Sequence, residues 1–494
     1  MESKEKKRLE FRFGMVTLLI PFLIMFGGII LLALSGKAFP MAFWLPTLLA
    51  LFAALLLAKK PTQCAEVMIR GMANEMVAIM LMAWFIAGII AQLLKASGLI
   101  DSLVWLCVKV GLSGGWFPVV VFIIGCVLST STGTALGTVI ALAPVLGPVG
   151  VALGSNMPVL LGAIVGGAYF GDNIAPVSDT TIASAYTQGV EVAAVVKSRL
   201  KYAIVAGAAA IILFIIFGNM GTAAGATAGL ANLSPNALVM LVIPVLLIIM
   251  MFSGANLIVA LMTSGFTGIV LALLMKFITF KDVMFVNLET FSVEGIISGG
   301  IMGMIDIAVF AFLLMGLIRL LDESGLLHSV IEKLSKMAKS ARSAELWVAF
   351  INIILNILTV ASTIVIVMEG PLAKKLLVGK YNIVPSHSAN MLDAVAAGAM
   401  CLIPYGFAPL LAVMFCGTTG ISVFSVCLNS FYGYTLLIVM LIAILTGWGR
   451  KFVTPAAAKE LIEDENKVLS LKELEAITII GGKDSVRKGV TDEA

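Results

Sequence analysis

Long apolar runs recur along the whole chain, and they constrain its fold more than any other feature. Residues 16–34 and 202–218 are two of many such runs, and neither contains a charge. A mostly apolar segment of about 18 residues can span a bilayer as a helix. Charged residues make up only 12% of the 494 residues, against roughly 25% in soluble domains. The sequence therefore predicts an all-α, polytopic membrane protein with about 11–13 membrane segments.

The rare and reactive residue types exclude several functions. The six cysteines are scattered, mostly inside apolar runs and without a Cys-x-x-Cys pair, which is typical of small buried residues. The only histidines, His328 and His387, are far apart, which excludes a histidine-rich metal site. No nucleophile–base pair or phosphate-binding loop stands out, so we expect neither an enzyme nor a cofactor. The small net charge of +4 forms no basic patch for a nucleic acid.

An internal duplication is visible at a nearly constant spacing. Residues 93–104 and 320–331 share Leu-Leu, Ser-Gly-Leu and a second serine at matching positions, 227 residues apart. The same spacing relates three further pairs and a spacing of 228 relates a fourth: Thr132 and Thr359, Pro144 and Pro371, Pro158 and Pro385, then Pro176 and Pro404. Internal repeats of this kind determine the architecture of a chain.

Charge placement indicates that the two halves have opposite orientations. Basic residues favour the cytoplasmic side, and they mark these segments: Lys4, Lys6, Lys7, Arg8 and Arg12; Lys59 and Lys60; residues 197–201; residues 332–342; Arg450 and Lys451. The helix near 74–94 then points outward and its counterpart near 297–320 points inward. We therefore expect inverted repeats in the inner (plasma) membrane, with both termini cytoplasmic. Inverted repeats are typical of secondary transporters, whose sites lie where broken helices meet.

These observations divide the chain into five parts. The predicted parts are a two-span hairpin at 1–70, repeat 1 at 71–220, a two-helix linker at 221–296, repeat 2 at 297–450 and a cytosolic tail at 451–494. The tail is expected to be a solvated appendage with one amphipathic helix around residues 456–474.

The stretch GDNIAPVSDTT at 171–181 places polar residues inside apolar sequence. Ionisable groups at membrane depth cost about 2.5–3.5 kcal/mol each and usually mark a transport pathway. Pro176 is expected to break the helix, and Asp179 then begins the next half-helix, where a capping role is an alternative to ion binding. Asp172 precedes the break and is predicted to bind Na⁺ or H⁺ in competition. Further oxygen ligands are expected from Asn173, Ser178, Thr180 and Thr181.

A hydroxyl-rich segment, STSTGTALGT at 129–138, precedes this stretch. Ser131, Thr132 and Thr134 flank Gly133, a second expected helix break. Their oxygens suit a small hard cation, while close helix packing is the alternative explanation. We predict a Na⁺ site formed by Asp172, Thr132 and Asp179.

Repeat 2 carries corresponding polar residues with different acids. Ser362 and Thr363 mirror the hydroxyl segment, and Asn390 and Asp393 precede a break at Pro404. Two further membrane acids, Asp306 and Glu369, are either proton relays or satisfied structural groups.

These motifs resemble those of the NhaC family of Na⁺/H⁺ antiporters. FGDNIAPVSDTT resembles the GD-x-x-(S/A)-P-x-SDTT signature, and LIPYG resembles the L-x-P-W-N element of the family's second half. The resemblance covers most of residues 70–450. It implies inverted repeats with broken helices and re-entrant hairpins, and transport coupled to Na⁺ and H⁺. Where the family has an arginine and an acidic pair, this chain has Asn390, Asp393 and Ala394.

Two functions fit this sequence, and the first is preferred. One is a Na⁺/H⁺ antiporter that exchanges ions at membrane-embedded carboxylates. The alternative is Na⁺- or H⁺-coupled transport of a small organic solute such as an amino acid or carboxylate. The inverted repeat argues against a passive channel. The expected partners are Na⁺, H⁺ and the lipid bilayer, and the glycines at 166–171 suit either a homodimer or the protein interior.

Overall fold

The helices of the protein follow the apolar runs of its sequence. The computed structural model describes residues 9–35, 37, 39–220, 234–253, 255–288, 291–325, 338–416, 420–464 and 468–479. Within these ranges, nine helical segments are long and apolar enough to cross a membrane, and three shorter apolar helices accompany them. This confirms the predicted all-α polytopic class. The basic residues 4–8, His328 and residues 332–337, used above for orientation or composition, lie outside the described residues.

The first half of the chain contains ten α-helices. They are α1 Leu19–Leu34, α2 Trp44–Leu57, α3 Pro61–Met72, α4 Glu75–Ala96, α5 Leu99–Lys109, α6 Phe117–Thr132, α7 Ala135–Ala152, α8 Met157–Ile174, α9 Asp179–Gln188 and α10 Val192–Gly218. Short 3₁₀ turns at Met15–Leu18 and Pro40–Phe43 lead into α1 and α2.

The second half contains thirteen α-helices within the described ranges. They are α11 Val242–Phe252, α12 Leu257–Leu274, α13 Phe280–Val283, α14 Ile296–Met302, α15 Ile305–Ser324, α16 Ala341–Thr359, α17 Ser362–Ala373, α18 Pro385–Met400, α19 Phe407–Phe415, α20 Val423–Leu428, α21 Phe431–Thr446, α22 Pro455–Glu463 and α23 Leu471–Ile477. A 3₁₀ helix at Asn236–Leu241 precedes α11, and a π-helical turn at Lys374–Lys380 follows α17. Strands β1 (Phe285–Asn287) and β2 (Ser292–Glu294) form one antiparallel pair, and β3 (Phe452–Val453) and β4 (Thr478–Ile479) form another.

Helix breaks recur at the spacing of the sequence duplication. Gly133 is left-handed (φ 64°) between α6 and α7, and Val360 is left-handed (φ 50°) between α16 and α17. Glycine adopts this conformation freely, whereas a valine there marks strain. Pro158 and Pro385 lie in the first turns of α8 and α18, where proline costs no hydrogen bond. Helices in the two halves thus begin and end at corresponding positions, and the inverted orientation of the halves stays a prediction.

The half-helix after each break packs against the other half of the chain. Helix α9 follows the break at 175–178 and packs on α17 and α18. Helix α19 follows the break at 401–406 and packs on α7 and α8. Residues at the first break therefore contact residues of the second half directly.

The C-terminal tail docks on the helical body, contrary to the expected solvated appendage. Two helices, α22 and α23, replace the single predicted one, and residues 465–467 between them lie outside the described residues. Helix α22 packs on the π-helical turn and α23 on α10. Docking buries apolar side chains of the tail: Val453, Ala458, Leu461, Leu469 and Leu474.

The basic segment 197–201 also differs from its prediction. Its basic charge predicts a position on the cytoplasmic side outside the apolar helix, but α10 begins at Val192 and includes it. Arg199 within this segment is completely buried. The buried guanidinium is compensated by an ion pair with Asp393.

Candidate functional site

Asp172 lies at the broken end of α8, as the sequence predicted. The helix ends at Ile174, and α9 begins at Asp179 with Ser178 as its N-cap residue. Pro176 prevents a continuous helix because it lacks an N–H and restricts the preceding residue. Asp172 is 8% exposed, and the Ser178 hydroxyl donates a hydrogen bond of 2.9 Å to its Oδ1. The break thus turns a hydroxyl toward the buried carboxylate instead of toward the helix start.

Asp393 is held by a buried arginine that sequence reasoning missed. Its Oδ2 lies 2.6 Å from an Nη of Arg199, and both side chains are at most 1% exposed. The Thr181 hydroxyl donates to the same Oδ2 at 3.2 Å, and Arg199 donates to Thr181 Oγ1 at 2.9 Å. Arg199 also donates to the backbone carbonyl of Asn173. This arrangement links α8, α9, α10 and α18 at one point.

A signal for Arg199 exists in the sequence. A carboxylate inside an apolar helix requires a counter-charge, and repeat 2 lacks the arginine that the family resemblance places near Asp393. The missing positive charge is supplied from repeat 1 by Arg199. Its position in a basic run concealed this role, since Lys197 and Lys201 nearby are partly or fully exposed.

The two buried aspartates have different surroundings. Within the described residues, no basic group lies within ion-pair distance of Asp172, whereas Asp393 has Arg199. The Ser178 hydroxyl also lies 2.9 Å from that of Thr180, and the Thr180 hydroxyl lies beside Asp393. Hydroxyls therefore connect a paired carboxylate to an unpaired one.

Asp179 joins the first break to the second half of the chain. Its Oδ1 accepts a 3.0 Å hydrogen bond from the backbone N–H of Thr180, and its Oδ2 accepts one of 2.5 Å from the Thr363 hydroxyl of α17. The negative charge also suits the start of α9. Thr363 lines a cavity of about 330 Å³, together with Asn74 and Arg319. The exposed Asp179 therefore contacts a residue that lines this cavity, at a contact between the two halves of the chain.

The hydroxyl-rich segment 129–138 lies against the break at 175–178, but several of its hydroxyls form hydrogen bonds within helices or at helix ends. Thr134 caps α7 by accepting from the Gly137 N–H at 3.3 Å. The Ser131 hydroxyl donates to the carbonyl of Val127 at 3.0 Å, one turn earlier in its own helix. Thr132 Oγ1 lies 3.4 Å from Thr138 Oγ1.

Close backbone contacts hold the two segments together. A side chain added at Gly133 would collide with the backbone of Val177 and Ser178, and one at Gly171 would collide with Ser129 and Thr130. The predicted proximity of Thr132 and Asp172 therefore corresponds to neighbouring backbone segments. Thr132 itself shares no hydrogen bond with Asp172 in the described part of the chain.

In repeat 2, Glu369 ends a buried chain of amides. The Ser362 hydroxyl donates to Asn356 Oδ1 at 3.0 Å, Asn356 Nδ2 donates to Asn352 Oδ1 at 3.0 Å, and Asn352 Nδ2 donates to Glu369 Oε2 at 2.9 Å. Glu369 is completely buried, and its Oε1 has no partner among the described residues. The structure therefore joins Ser362 to Glu369 and not to Asp179.

Two predicted residues lie apart from these networks. Asp306 is in the first turn of α15, which packs mainly on α2 and α3, and its backbone carbonyl accepts from the Trp44 indole at 2.8 Å. Pro404 lies in the break before α19 and lines an apolar cavity of about 480 Å³ with Tyr405. Neither residue shares a hydrogen bond with Asp172 or Asp393 in the part of the chain that the structure describes.

Several buried polar atoms near the two aspartates lack partners. These atoms are Oδ1 of Asn173, Nε of Arg199 and both amide atoms of Asn390 within the described residues. Buried polar groups are normally satisfied by protein, water or an ion. Asn173 Nδ2, in contrast, donates to the Tyr432 hydroxyl at 3.1 Å. The unsatisfied oxygens of Asn173 and Asn390 are neutral ligands of the type that Na⁺ prefers.

A second buried charge cluster was also missed. Glu345 of α16 accepts hydrogen bonds from Arg450 and lies 3.1 Å from His387 Nε2, at the beginning of α18. All three side chains are at most 13% exposed. In the described ranges, no group of three or more histidine, cysteine and acidic residues is arranged to hold a metal ion.

A comparison with protein families shows the family to which this chain belongs. The model of the Na⁺/H⁺ antiporter family matches residues 9–219 and 223–448. The chain belongs to the Na⁺/H⁺ antiporter family. It is therefore a member of an antiporter family and not of an enzyme family, which confirms the predicted transporter and the family resemblance.

Relatives of this chain are named for different substrates. The chain is 24% identical to the malate-2H⁺/Na⁺-lactate antiporter of Bacillus subtilis, over 69% of this chain and 76% of the relative. It is 24% identical to the Na⁺/H⁺ antiporter NhaC of Alkalihalophilus pseudofirmus, over 68% and 75%. It is also 24% identical to the arginine/ornithine antiporter ArcD of Halobacterium salinarum, over 68% and 72%.

Proposed function

We propose that this antiporter exchanges Na⁺ for H⁺, with Asp172 as the group that binds either ion. The observation that carries the proposal is the different pairing of two buried carboxylates. Asp393 has a guanidinium 2.6 Å away, whereas Asp172 receives a hydroxyl at 2.9 Å and has no cation partner among the described residues. One negative charge therefore remains uncompensated at the helix break.

A single uncompensated carboxylate explains coupling by competition. A buried charge without a counter-ion is costly, so Asp172 requires either a proton or a cation. Because both neutralise the same group, binding of Na⁺ displaces the proton and binding of the proton displaces Na⁺. Arg199 has a supporting role in this scheme, because it fixes the charge of Asp393 and leaves Asp172 as the exchangeable group.

Neutral oxygens around Asp172 would complete the coordination of Na⁺. The Ser178 hydroxyl donates to the carboxylate, and the Thr180 hydroxyl lies 2.9 Å from that of Ser178. Asn173 Oδ1 is buried without a partner among the described residues. Hard cations prefer such oxygen ligands. We assign Thr132 to the wall of this site, since the adjoining Gly133 lies against the break.

Asp179 is proposed to control access to the site. Its hydrogen bond with Thr363 connects repeat 1 to repeat 2 beside the 330 Å³ cavity. Relative movement of the two repeats would break this contact and change the side from which Asp172 is reached. The scheme places the protein in the plasma membrane with both termini cytoplasmic and repeats of inverted orientation.

The test is ion exchange by purified protein in liposomes that contain a pH-sensitive dye. An external pulse of NaCl, and not of KCl or choline chloride, should change the internal pH. Asp172→Asn should abolish this change, because an amide cannot exchange a proton for Na⁺. Asp282→Asn, at an exposed residue outside the site, is the matched control, and size-exclusion chromatography verifies folding of both variants.

One result would contradict the proposal and point to the alternative transport function. If Na⁺ raises the melting temperature but produces no pH change, the protein couples Na⁺ to another substrate. Amino acids and small carboxylates would then be tested for Na⁺-dependent uptake. Retention of the pH change in Asp172→Asn would instead place the exchange site elsewhere in the chain.

A further inference from the structure

A small basic cavity lies between the docked tail and the helical body. Its volume is about 260 Å³, and its walls come from α10, the start of α18, the segment after α21 and α23. Three lysines line it, Lys197, Lys201 and Lys451, together with Ser386 and Glu475. The cavity is separate from the break at Asp172 and forms no part of the proposed exchange mechanism.

The positive charges of this cavity are only partly compensated. Glu475 is the only acid in its wall, and it pairs with Lys197 at 2.9 Å. Lys201 Nζ lies over the Tyr202 ring, 4.8 Å from its centroid. Within the described residues, no carboxylate lies within ion-pair distance of Lys201 or Lys451, although the charge of Lys451 also acts on Glu475. Like charges held together repel one another, so an anion between these lysines would stabilise the arrangement.

The chain positions Lys201 at this cavity by a close contact. Gly449 is left-handed (φ 77°), and a side chain there would collide with Lys201 Nζ and the Tyr202 hydroxyl. The left-handed backbone conformation favours glycine here, and the lack of a side chain leaves room for the end of Lys201. The ammonium group therefore lies beside the backbone that leads to Lys451.

The start of α18 provides a second feature of an anion site. Pro385 begins this 16-residue helix and has no N–H, and the N–H groups of His387 and Ser388 donate to the carbonyl of Val384. The N–H of Ser386 therefore remains as the free donor of this turn among the described residues, at a helix end whose dipole favours negative charge. Ser386 is 6% exposed and lines the cavity, and its hydroxyl makes no hydrogen bond among the described residues. Helix starts combined with lysines commonly bind phosphate.

We propose that this cavity binds a phosphate group, supplied by the headgroup of an anionic phospholipid or by a soluble phosphate compound. Lys201 and Lys451 neutralise its charge, and the hydroxyl and backbone N–H of Ser386 donate hydrogen bonds. Glu475 of the tail pairs with the third lysine and limits the affinity. The bound group would fix α23 against the start of α18, the helix that carries Asn390 and Asp393.

The experiment measures the thermal stability of the full chain in detergent with phosphate-bearing and control additives. Phosphatidylglycerol is compared with phosphatidylcholine, and inorganic phosphate is compared with chloride at equal ionic strength. We expect a saturable rise in melting temperature with phosphatidylglycerol, inorganic phosphate or both. A response to the lipid alone identifies the headgroup as the source, and a response to inorganic phosphate identifies a soluble ligand.

Variants decide whether the response comes from this cavity. The double variant Lys201→Gln/Lys451→Gln should weaken binding at least about tenfold, which corresponds to 1.4 kcal/mol. Ser386→Ala should also weaken binding, whereas Glu475→Gln should strengthen it by removing the only acid. The matched control is Lys459→Gln in α22, whose lysine is exposed and does not line the cavity.

Two results would overturn the inference. The first is the absence of a stability rise with both phosphate sources in the unmodified protein. The second is a rise that is unchanged in Ser386→Ala and in the double lysine variant. If the double variant does not fold, the opposite effects expected for Ser386→Ala and Glu475→Gln still decide the matter.

Discussion

The ion pair of Arg199 and Asp393 should be one of the strongest pairwise contributions to stability in this protein. Both side chains are at most 1% exposed, and the closest N–O distance is 2.6 Å. Removal of one partner of a buried pair costs about 3–5 kcal/mol because the remaining charge is left without compensation. We therefore expect Arg199→Gln and Asp393→Asn each to lower the free energy of unfolding by about this amount.

The double variant distinguishes a true ion pair from two independent contacts. Arg199→Gln/Asp393→Asn leaves no buried charge, so it should lose no more stability than the worse single variant. This corresponds to a coupling free energy of about 3 kcal/mol or more. For a chain of this length, 1 kcal/mol shifts the melting temperature by about 1 °C, so each single variant should melt about 3–5 °C lower.

The assay is thermal unfolding of the purified protein in detergent, with Lys59→Gln as the control. Lys59 pairs with Glu10 at 2.9 Å, but their side chains are 52% and 68% exposed, and such pairs contribute about 1 kcal/mol or less. Additive effects of the two buried substitutions would refute the reasoning. A shift for Arg199→Gln as small as that of the control would refute it as well.

Three further predictions concern the helix break at Gly133, the hydrogen bond between Thr363 and Asp179, and the docking of the tail. Gly133→Ala should lower the free energy of unfolding by about 1–3 kcal/mol, measured by thermal unfolding. Alanine is strained at a φ of 64°, and its Cβ would collide with the backbone of Val177 and Ser178. Thr363→Val should raise the Na⁺ concentration for half-maximal exchange about fivefold, since the hydrogen bond to Asp179 is lost. The hydrogen bond from Lys197, assisted by its charge, lowers the pKa of Glu475. The Lys197–Glu475 pair therefore stabilises tail docking above the unfolded pKa of about 4.3, and this stabilisation is lost as the pH falls through the lower folded pKa. The loss should appear as faster hydrogen exchange of α23, after correction for the intrinsic exchange rates.

Each of these predictions has a matched control in the same chain. Gly27→Ala lies in the right-handed part of α1 with open space around it, so it should not destabilise the protein. Thr446→Val removes a hydroxyl that donates to the carbonyl of Ile442 and accepts from the N–H of Trp448, neither of them a site residue, and should leave the Na⁺ dependence unchanged. Because both side chains of the Lys197–Glu475 pair are at least 60% exposed, Glu475→Gln should speed the exchange of α23 at neutral pH by no more than about fivefold. Equal effects of Gly133→Ala and Gly27→Ala would contradict the strain argument.

The helix breaks were predictable because their causes are local. Pro176 removes a backbone donor, and Gly133 supplies a conformation that other residues adopt at a cost. Both breaks occur where the sequence places them, at the ends of α8 and α6. The polar residues at these breaks were also recognisable because charge inside an apolar run is unusual.

The directions of the individual side chains were not predictable from the same pattern. Ser131 and Thr134 are three residues apart in one motif, yet one hydroxyl bonds to its own helix and the other caps the next helix. Ser178 lies at the start of α9 as its N-cap residue, yet its hydroxyl donates to Asp172 and not to the helix. Small polar side chains have several local partners of similar energy, so packing selects among them.

The sequence by itself determined the membrane class, the family, the duplication and the positions of the helix breaks. The tertiary structure alone decided that Arg199 is buried against Asp393, that Thr363 contacts Asp179, and that the tail docks on α10. Apolar length and the backbone limits of proline and glycine act within a few residues, so they can be read along the chain. Counter-charges are matched between residues that are far apart in sequence, because a buried charge is neutralised by whichever group the packed helices bring beside it.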